Sequence, residues 1–165
     1  MTQRHPNVIH RDEVPAVPME KGKHRMQLRR LGAKTGAQML GATLTEVAPH
    51  SMSFPFHYHC ATEEALYVIR GKGIARLGDQ RVEIREGDFV ALPVGAEHPH
   101  QMINESDEPL VYLCFSASVH KVDVVGYPDS NKVAAAAGTF DKPIHRFITR
   151  MGESLDYWDG EPNAT

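Results

Sequence analysis

The chain reads as an all-β protein, an antiparallel sandwich or barrel, on three observations. Short runs rich in β-branched and apolar residues recur at close spacing, a turn-forming cluster closes each run, and no helical pattern separates them. The runs are residues 39–47, 65–69, 74–77, 81–85, 89–92, 100–103 and 110–115. The turns include Gly71-Lys72-Gly73, Gly78-Asp79-Gln80, Glu86-Gly87-Asp88, Pro93-Val94-Gly95 and the polar stretch 104–109.

Each run states which of its faces is wet. Arg81-Val82-Glu83-Ile84-Arg85 alternates cleanly, so one face meets water. Residues 65–69 and 110–115 are apolar throughout and need cover on both faces, from the N-terminal arm, the C-terminal tail or a second subunit. A homodimer is therefore expected.

A length of 165 residues suits one core. The expected organisation is an N-terminal arm over residues 1–37, a barrel over 38–118, and a tail over 119–165 packing on the barrel. The arm carries Pro6, Pro15 and Pro18 and no sustained periodicity, which suits a surface segment with a short strand around Asn7-Val8-Ile9-His10. It has neither the room nor the pattern for a helix-turn-helix. After residue 119 the strand rhythm fades into a turn at 127–132 and a small-residue run at 134–138. Tyr157 and Trp158 read as sealing the outside of a sheet.

Composition excludes several classes of function. With 18 basic and 21 acidic residues the net charge is -3, which gives no electrostatic reason for a nucleic-acid partner. Two cysteines, Cys60 and Cys114, are too few for a disulfide framework and read as reduced, buried thiols. There is no apolar leader and no long apolar run, so the expectation is a soluble, cytoplasmic protein acting on a small molecule, with no membrane partner.

There are ten histidines, and four of them, His57, His59, His98 and His100, are packed into two short stretches of the middle third. His57 and His59, separated by one residue, point to the same face of a strand, so both imidazoles can reach one point off the sheet. Glu64 follows five residues later. Neutral imidazoles with a carboxylate suit Zn, Mn, Fe, Ni or Cu and disfavour Ca.

A second cluster runs from Gly87 through Pro93, Gly95, His98 and His100 to Asn104. With it the sequence resembles the cupin superfamily, whose signatures are G-x5-H-x-H-x3,4-E-x6-G and G-x5-P-x-G-x2-H-x3-N. His57, His59, Glu64 and Gly71 match the first, and Gly87, Pro93, Gly95 and His98 match the second. The resemblance covers residues 38–118. It implies a double-stranded β-helix, or jelly-roll, cupin barrel holding one divalent transition metal, Zn, Mn, Fe or Ni.

Two positions depart from the pattern. Ser51 stands where the family has glycine. Counting forward from Gly95 selects His98 as the third histidine ligand, whereas counting back from Asn104 selects His100. The proline after His98 favours extended backbone, and a strand begins at His100, which favours His57, His59, Glu64 and His100 as ligands. His98 then becomes the candidate catalytic acid/base. Glu63 is the neighbouring, exposed carboxylate.

More narrowly, His57-Tyr58-His59, the stretch 100–104, Ser106–Leu110, Tyr127-Pro128-Asp129-Ser130, Lys132-Val133 and residues 157–161 resemble bacterial cupins labelled phosphomannose-isomerase-like. That resemblance implies a metal-dependent cupin acting on a small polar molecule, of sugar-phosphate isomerase type. Alternatives are an Fe(II)-dependent dioxygenase-type cupin and a non-catalytic small-ligand-binding cupin. Asp129, Ser130 and Lys132 read either as a polar cap at the barrel mouth or as an Asx-type turn.

Overall fold

Strand parity, carried from one hydrogen-bonded neighbour to the next, builds the molecule. The computed structural model describes residues 4–117, 122–139, 142–152 and 154–162. Its strands are β1 (Val17–Lys21), β2 (His24–Arg30), β3 (Leu40–Val47), β4 (Ser51–Met52), β5 (Tyr58–His59), β6 (Glu63–Arg70) and β7 (Lys72–Leu77). They continue as β8 (Gln80–Arg85), β9 (Phe89–Leu92), β10 (His100–Asn104), β11 (Leu110–Ala117), β12 (Val122–Tyr127), β13 (Lys132–Thr139) and β14 (Lys142–Arg150).

One large curled sheet runs β8-β7-β10-β4-β2-β3-β11-β6-β9, with β1 paired to β2, and a second sheet runs β14-β13-β12-β5. The pairings are antiparallel apart from a parallel contact of β2 with β4. The fold is an antiparallel barrel, as the strand spacing predicts, and of the jelly-roll kind that the cupin resemblance implies. Every expected run from 39–47 to 110–115 lies on a strand, within a few residues at each end. Among the described residues no helix is long and apolar enough to cross a membrane.

The core is the inward face of the large sheet. Leu28 on β2, Val47 on β3, Leu66 and Val68 on β6, and Leu110 and Tyr112 on β11 are almost fully buried against one another. Each such aliphatic side chain contributes about 1.5–3 kcal/mol by leaving water. Asn104 sits among them with no exposed surface. Its Nδ2 donates to the carbonyls of Val47, Ala48 and Glu108, and its Oδ1 accepts from the backbone N–H and the hydroxyl of Ser106. It ties the 104–109 turn to β3. Gly71 turns β6 into β7 at φ 86°, and a Cβ there would lie 2.4 Å from the Pro109 carbonyl oxygen, so the turn requires glycine.

The arm and the tail differ from their sequence reading. Residues 7–10 form no strand; the arm pairs instead through β1 and β2, and β2 sits inside the large sheet against β3 and β4. Alternation in His24–Arg30, with Met26 and Leu28 buried, is the signal for it. The tail contributes three strands where no rhythm was visible, because its middle strand is a run of alanines with no polar alternation. The expected barrel–tail boundary at 118/119 lies outside the described residues. Tyr157 and Trp158 do not seal a sheet: they are exposed and pack edge to face on each other. Cys60 is likewise exposed, because β5 ends one residue before it, whereas Cys114 packs on the core.

Cover over the outer face is partial. Val14 of the arm is buried and its carbonyl accepts from Arg29 Nη1, and Leu44 on the same side is buried too. Farther along, Tyr67, Ile69 and Phe89 remain exposed.

Candidate metal centre

His57 and His100 meet as an antiparallel bridge between the start of β10 and the segment leading into β5. Each backbone N–H donates to the other residue's carbonyl, at 3.2 and 2.8 Å. Residues directly opposite in such a pair present side chains to one face, and the two rings lie 4.6 Å apart between centroids. His59, two residues on, returns to that face with its ring 5.0 Å from His57 and 6.1 Å from His100. Glu64 enters from β6, where its parity matches the inward Leu66 and Val68.

One donor atom from each of His57, His59, Glu64 and His100 lies within 4.8 Å of the others. The hydrogen bonds select which atoms converge. His57 Nδ1 is 2.7 Å from the Pro55 carbonyl oxygen, His59 Nδ1 is 2.5 Å from Asp123 Oδ2, and His100 Nδ1 is 3.2 Å from the His98 carbonyl oxygen. With Nδ1–H donating outward in all three, every Nε2 carries its lone pair toward the centre. Glu64 Oε2 lies 3.7 Å from His59 Nε2 and 3.6 Å from His100 Nε2. His100 Nε2 is buried with no hydrogen-bond partner, an orphaned polar atom that a metal ion would satisfy. The donor set fits a divalent transition metal.

Electrostatics agree. Burial, followed by the neighbouring rings of His100 and His59, lowers His57 to about 4, so this imidazole is neutral at physiological pH. Burial works to raise the Glu64 carboxyl, but the imidazoles of His100, His59 and His57 outweigh it and hold Glu64 below its ordinary value, as a carboxylate. For His59, burial acts downward, yet the hydrogen bond to Asp123 and the charge of Glu64 leave it raised.

Asp123, from β12, is the residue that the sequence did not reveal. It binds His59 through Oδ2 and the Ala61 N–H through Oδ1, at 2.9 Å. Tyr127, two turns of the pleat farther along β12, stacks on His57 with ring centroids 6.1 Å apart. Gly126 between them lets β12 approach: a Cβ there would fall 2.2–2.5 Å from the ring of Tyr58.

The other expected residues fall as follows. His98 lies outside the cluster, with its side chain 44% exposed and Nε2 3.7 Å from Glu97. Glu63 is exposed. Asp129 pairs bidentately with Arg76, which lies over the Phe56 ring, and Pro128–Ser130 is a 3-10 turn. Lys132 Nζ sits 5.4 Å over the Tyr127 ring. On β2, Arg30 shares the inward parity of Leu28 and pairs in register with Thr43, whose partner is Cys114.

Known proteins share this arrangement of strands. A solved structure from Acidithiobacillus ferrooxidans, proposed by its name to be a sugar phosphate isomerase, is 28% identical, with 81% of each chain covered and a TM-score of 0.71. A sugar phosphate isomerase of the cupin superfamily from Silicibacter pomeroyi superposes at TM-score 0.75 over 90% of this chain and 95% of its own, at 21% identity, which speaks to the fold alone. Quercetin 2,3-dioxygenase of Bacillus subtilis is 29% identical over 76 residues, 46% of this chain and 23% of that one. The matched stretch spans 54% of a further relative from Methanocaldococcus jannaschii. Residues 43–116 match the model of the cupin domain, and the jelly-roll strands and the converging histidines agree with that match: the chain carries a cupin domain.

Proposed function

We propose that this cupin is a metal-dependent enzyme acting on a small polar substrate, with the chemistry of a sugar-phosphate isomerase. The observation that carries the reading is the common orientation of His57, His59 and His100, each anchored at Nδ1 and each presenting Nε2 beside the Glu64 carboxylate. The similarity to the Acidithiobacillus protein over most of both chains supports the isomerase direction.

A bound divalent ion would supply Lewis-acid polarisation of a substrate carbonyl, which makes the adjacent C–H acidic. The chain's own part is to hold that substrate and move the proton. His57, His59, Glu64 and His100 fix the site, and Tyr127 walls it on the side of His57. Burial, with Asp123 nearby, keeps the Tyr127 phenol above its ordinary value despite the charge of Arg146, so it stays protonated and can donate to a substrate oxygen. His98 is the proposed acid/base: it stands two residues before His100, with its imidazole partly open to solvent.

The test combines elemental analysis of protein purified without added metal with NMR of candidate aldose and ketose phosphates in D2O. Deuterium entering the carbon next to the carbonyl, in wild type but not in His57→Ala, is the expected result. Iron in the purified protein together with substrate-dependent oxygen uptake would sink the isomerase reading. It would establish the second one, an Fe(II) dioxygenase, which the match to quercetin 2,3-dioxygenase favours. Metal and ligand binding with neither reaction would leave a binding protein.

A further inference from the structure

The second sheet presents one face to the metal centre, and register identifies every residue on it. Val125 pairs with His59, so His59, Asp123, Val125 and Tyr127 share that face. Crossing to β13, Asp123 pairs with Ala136, Val125 with Ala134 and Tyr127 with Lys132. Crossing again to β14, Ala136 pairs with Arg146, Ala134 with Ile148 and Lys132 with Arg150. Beyond Lys132 at its start, the middle strand contributes the methyl groups of Ala134 and Ala136 between two taller rows, which makes a trough floored by these alanines. One end of its wall is Tyr127, stacked on His57.

Among the described residues three cations stand along this trough, and its one carboxylate, Asp123, is committed to His59 and Ala61. Lys132 and Arg150 are direct register partners, and like charges placed opposite each other oppose strand pairing unless an anion lies between them. Arg146 is near enough to Tyr127 to act on its hydroxyl. It also takes part in an interaction within the chain, and its five N–H donors allow a second acceptor.

We propose that this trough binds the anionic group, a phosphate or a carboxylate, of a substrate whose other end reaches the cluster of His57, His59, Glu64 and His100. Lys132 and Arg146 are the principal contacts, with Arg150 adding charge. The proposal rests on reading the cluster as the metal centre of an enzyme, and it places specificity in the tail rather than in the barrel.

The test titrates inorganic phosphate, and separately acetate, into the full chain by calorimetry, once metal-free and once loaded with Mn. Binding of at least one anion in both forms is expected, and which one binds distinguishes phosphate from carboxylate. Lys132→Ala and Arg146→Ala should each weaken it about tenfold, the loss of one charge-assisted hydrogen bond. Ala134→Leu, which fills the floor, should weaken it as well. Lys132→Gln and Arg146→Gln guard against loss of folding, checked by circular dichroism, and Mn content should stay at the wild-type level. Three results overturn the proposal: no binding of either anion, affinity untouched by the trough substitutions, or affinity lost only on removing Mn or on Arg30→Ala. Failure to load Mn with anion binding intact would instead strike the enzymatic reading, because the metal-free arm reports on the trough alone.

Discussion

Asp123 accepts a hydrogen bond from His59 Nδ1 at 2.5 Å across 64 residues of sequence. Its other oxygen holds the Ala61 N–H. A strand of the tail thus orients His59, a candidate ligand carried by the edge of the barrel. Carboxylates placed behind a ligating histidine fix its tautomer and raise its basicity.

Asp123→Asn should therefore reduce metal affinity by about 10–100-fold while leaving the fold intact. Competition against a chromophoric chelator measures the first and circular dichroism the second. Unchanged affinity would show that the carboxylate only pins the chain at Ala61.

His98 and His100 are separable by the same measurement. His100→Ala removes a converging Nε2, and metal content should fall by more than the Asp123 variant produces. His98→Ala keeps the backbone carbonyl that holds His100 Nδ1, so metal content should match wild type while turnover falls. Loss of metal in His98→Ala with retention in His100→Ala would reverse the assignment.

Asn104 is buried with five hydrogen bonds, and Asn104→Ala removes the side-chain partner of the Val47 and Ala48 carbonyls and of the Ser106 N–H, while the Glu108 carbonyl keeps the Ser106 hydroxyl. A cost of about 3 kcal/mol is expected. For a domain of this size that lowers Tm by roughly 6–12 °C. A shift below about 2 °C by calorimetry would mean that water replaces the side chain there.

Gly126→Ala places a methyl group into the Tyr58 ring. The expected destabilisation is about 1–3 kcal/mol. Tyr58→Ala in the same background should recover part of it, since the two residues touch and their effects are not additive. Urea unfolding of the two single variants and the double variant completes the cycle.

The thiols should differ in reactivity. Burial, followed by the charge of Glu64, pushes the Cys114 thiol up strongly, and Cys60 is raised more mildly by partial burial and then Asp123. A raised thiol yields less thiolate at a given pH, so labelling accelerates as pH climbs. Native protein at pH 8 should release about one equivalent with a disulfide reagent, from exposed Cys60, and about two after denaturation.

The barrel strands and the ligand motif were legible because both are local. Apolar, β-branched runs closed by turn signals mark β3 and β6 through β11, strand parity puts His57 and His59 on one face, and the resemblance to the cupin motif adds Glu64. Arg30 shows the limit of that reading. It stands in the arm, and only the pairing of β2 with β3 turns it toward the barrel. The strand at 132–139 was invisible for a related reason: Ala134-Ala135-Ala136-Ala137 has neither alternation nor β-propensity, and pairing on both sides makes it a strand.

Of the opening prediction, the sequence by itself determined the all-β class, the turn positions and the identity of the donors His57, His59 and Glu64. Tertiary structure alone decided between His98 and His100, because the bridge to His57 selects His100 through hydrogen bonds that no local pattern encodes. It alone brought Asp123 to His59 and aligned Lys132 and Arg146 along one face. The physical reason is that side-chain parity is written in neighbouring residues, whereas register between distant strands is set by which pairing buries the core and satisfies the backbone.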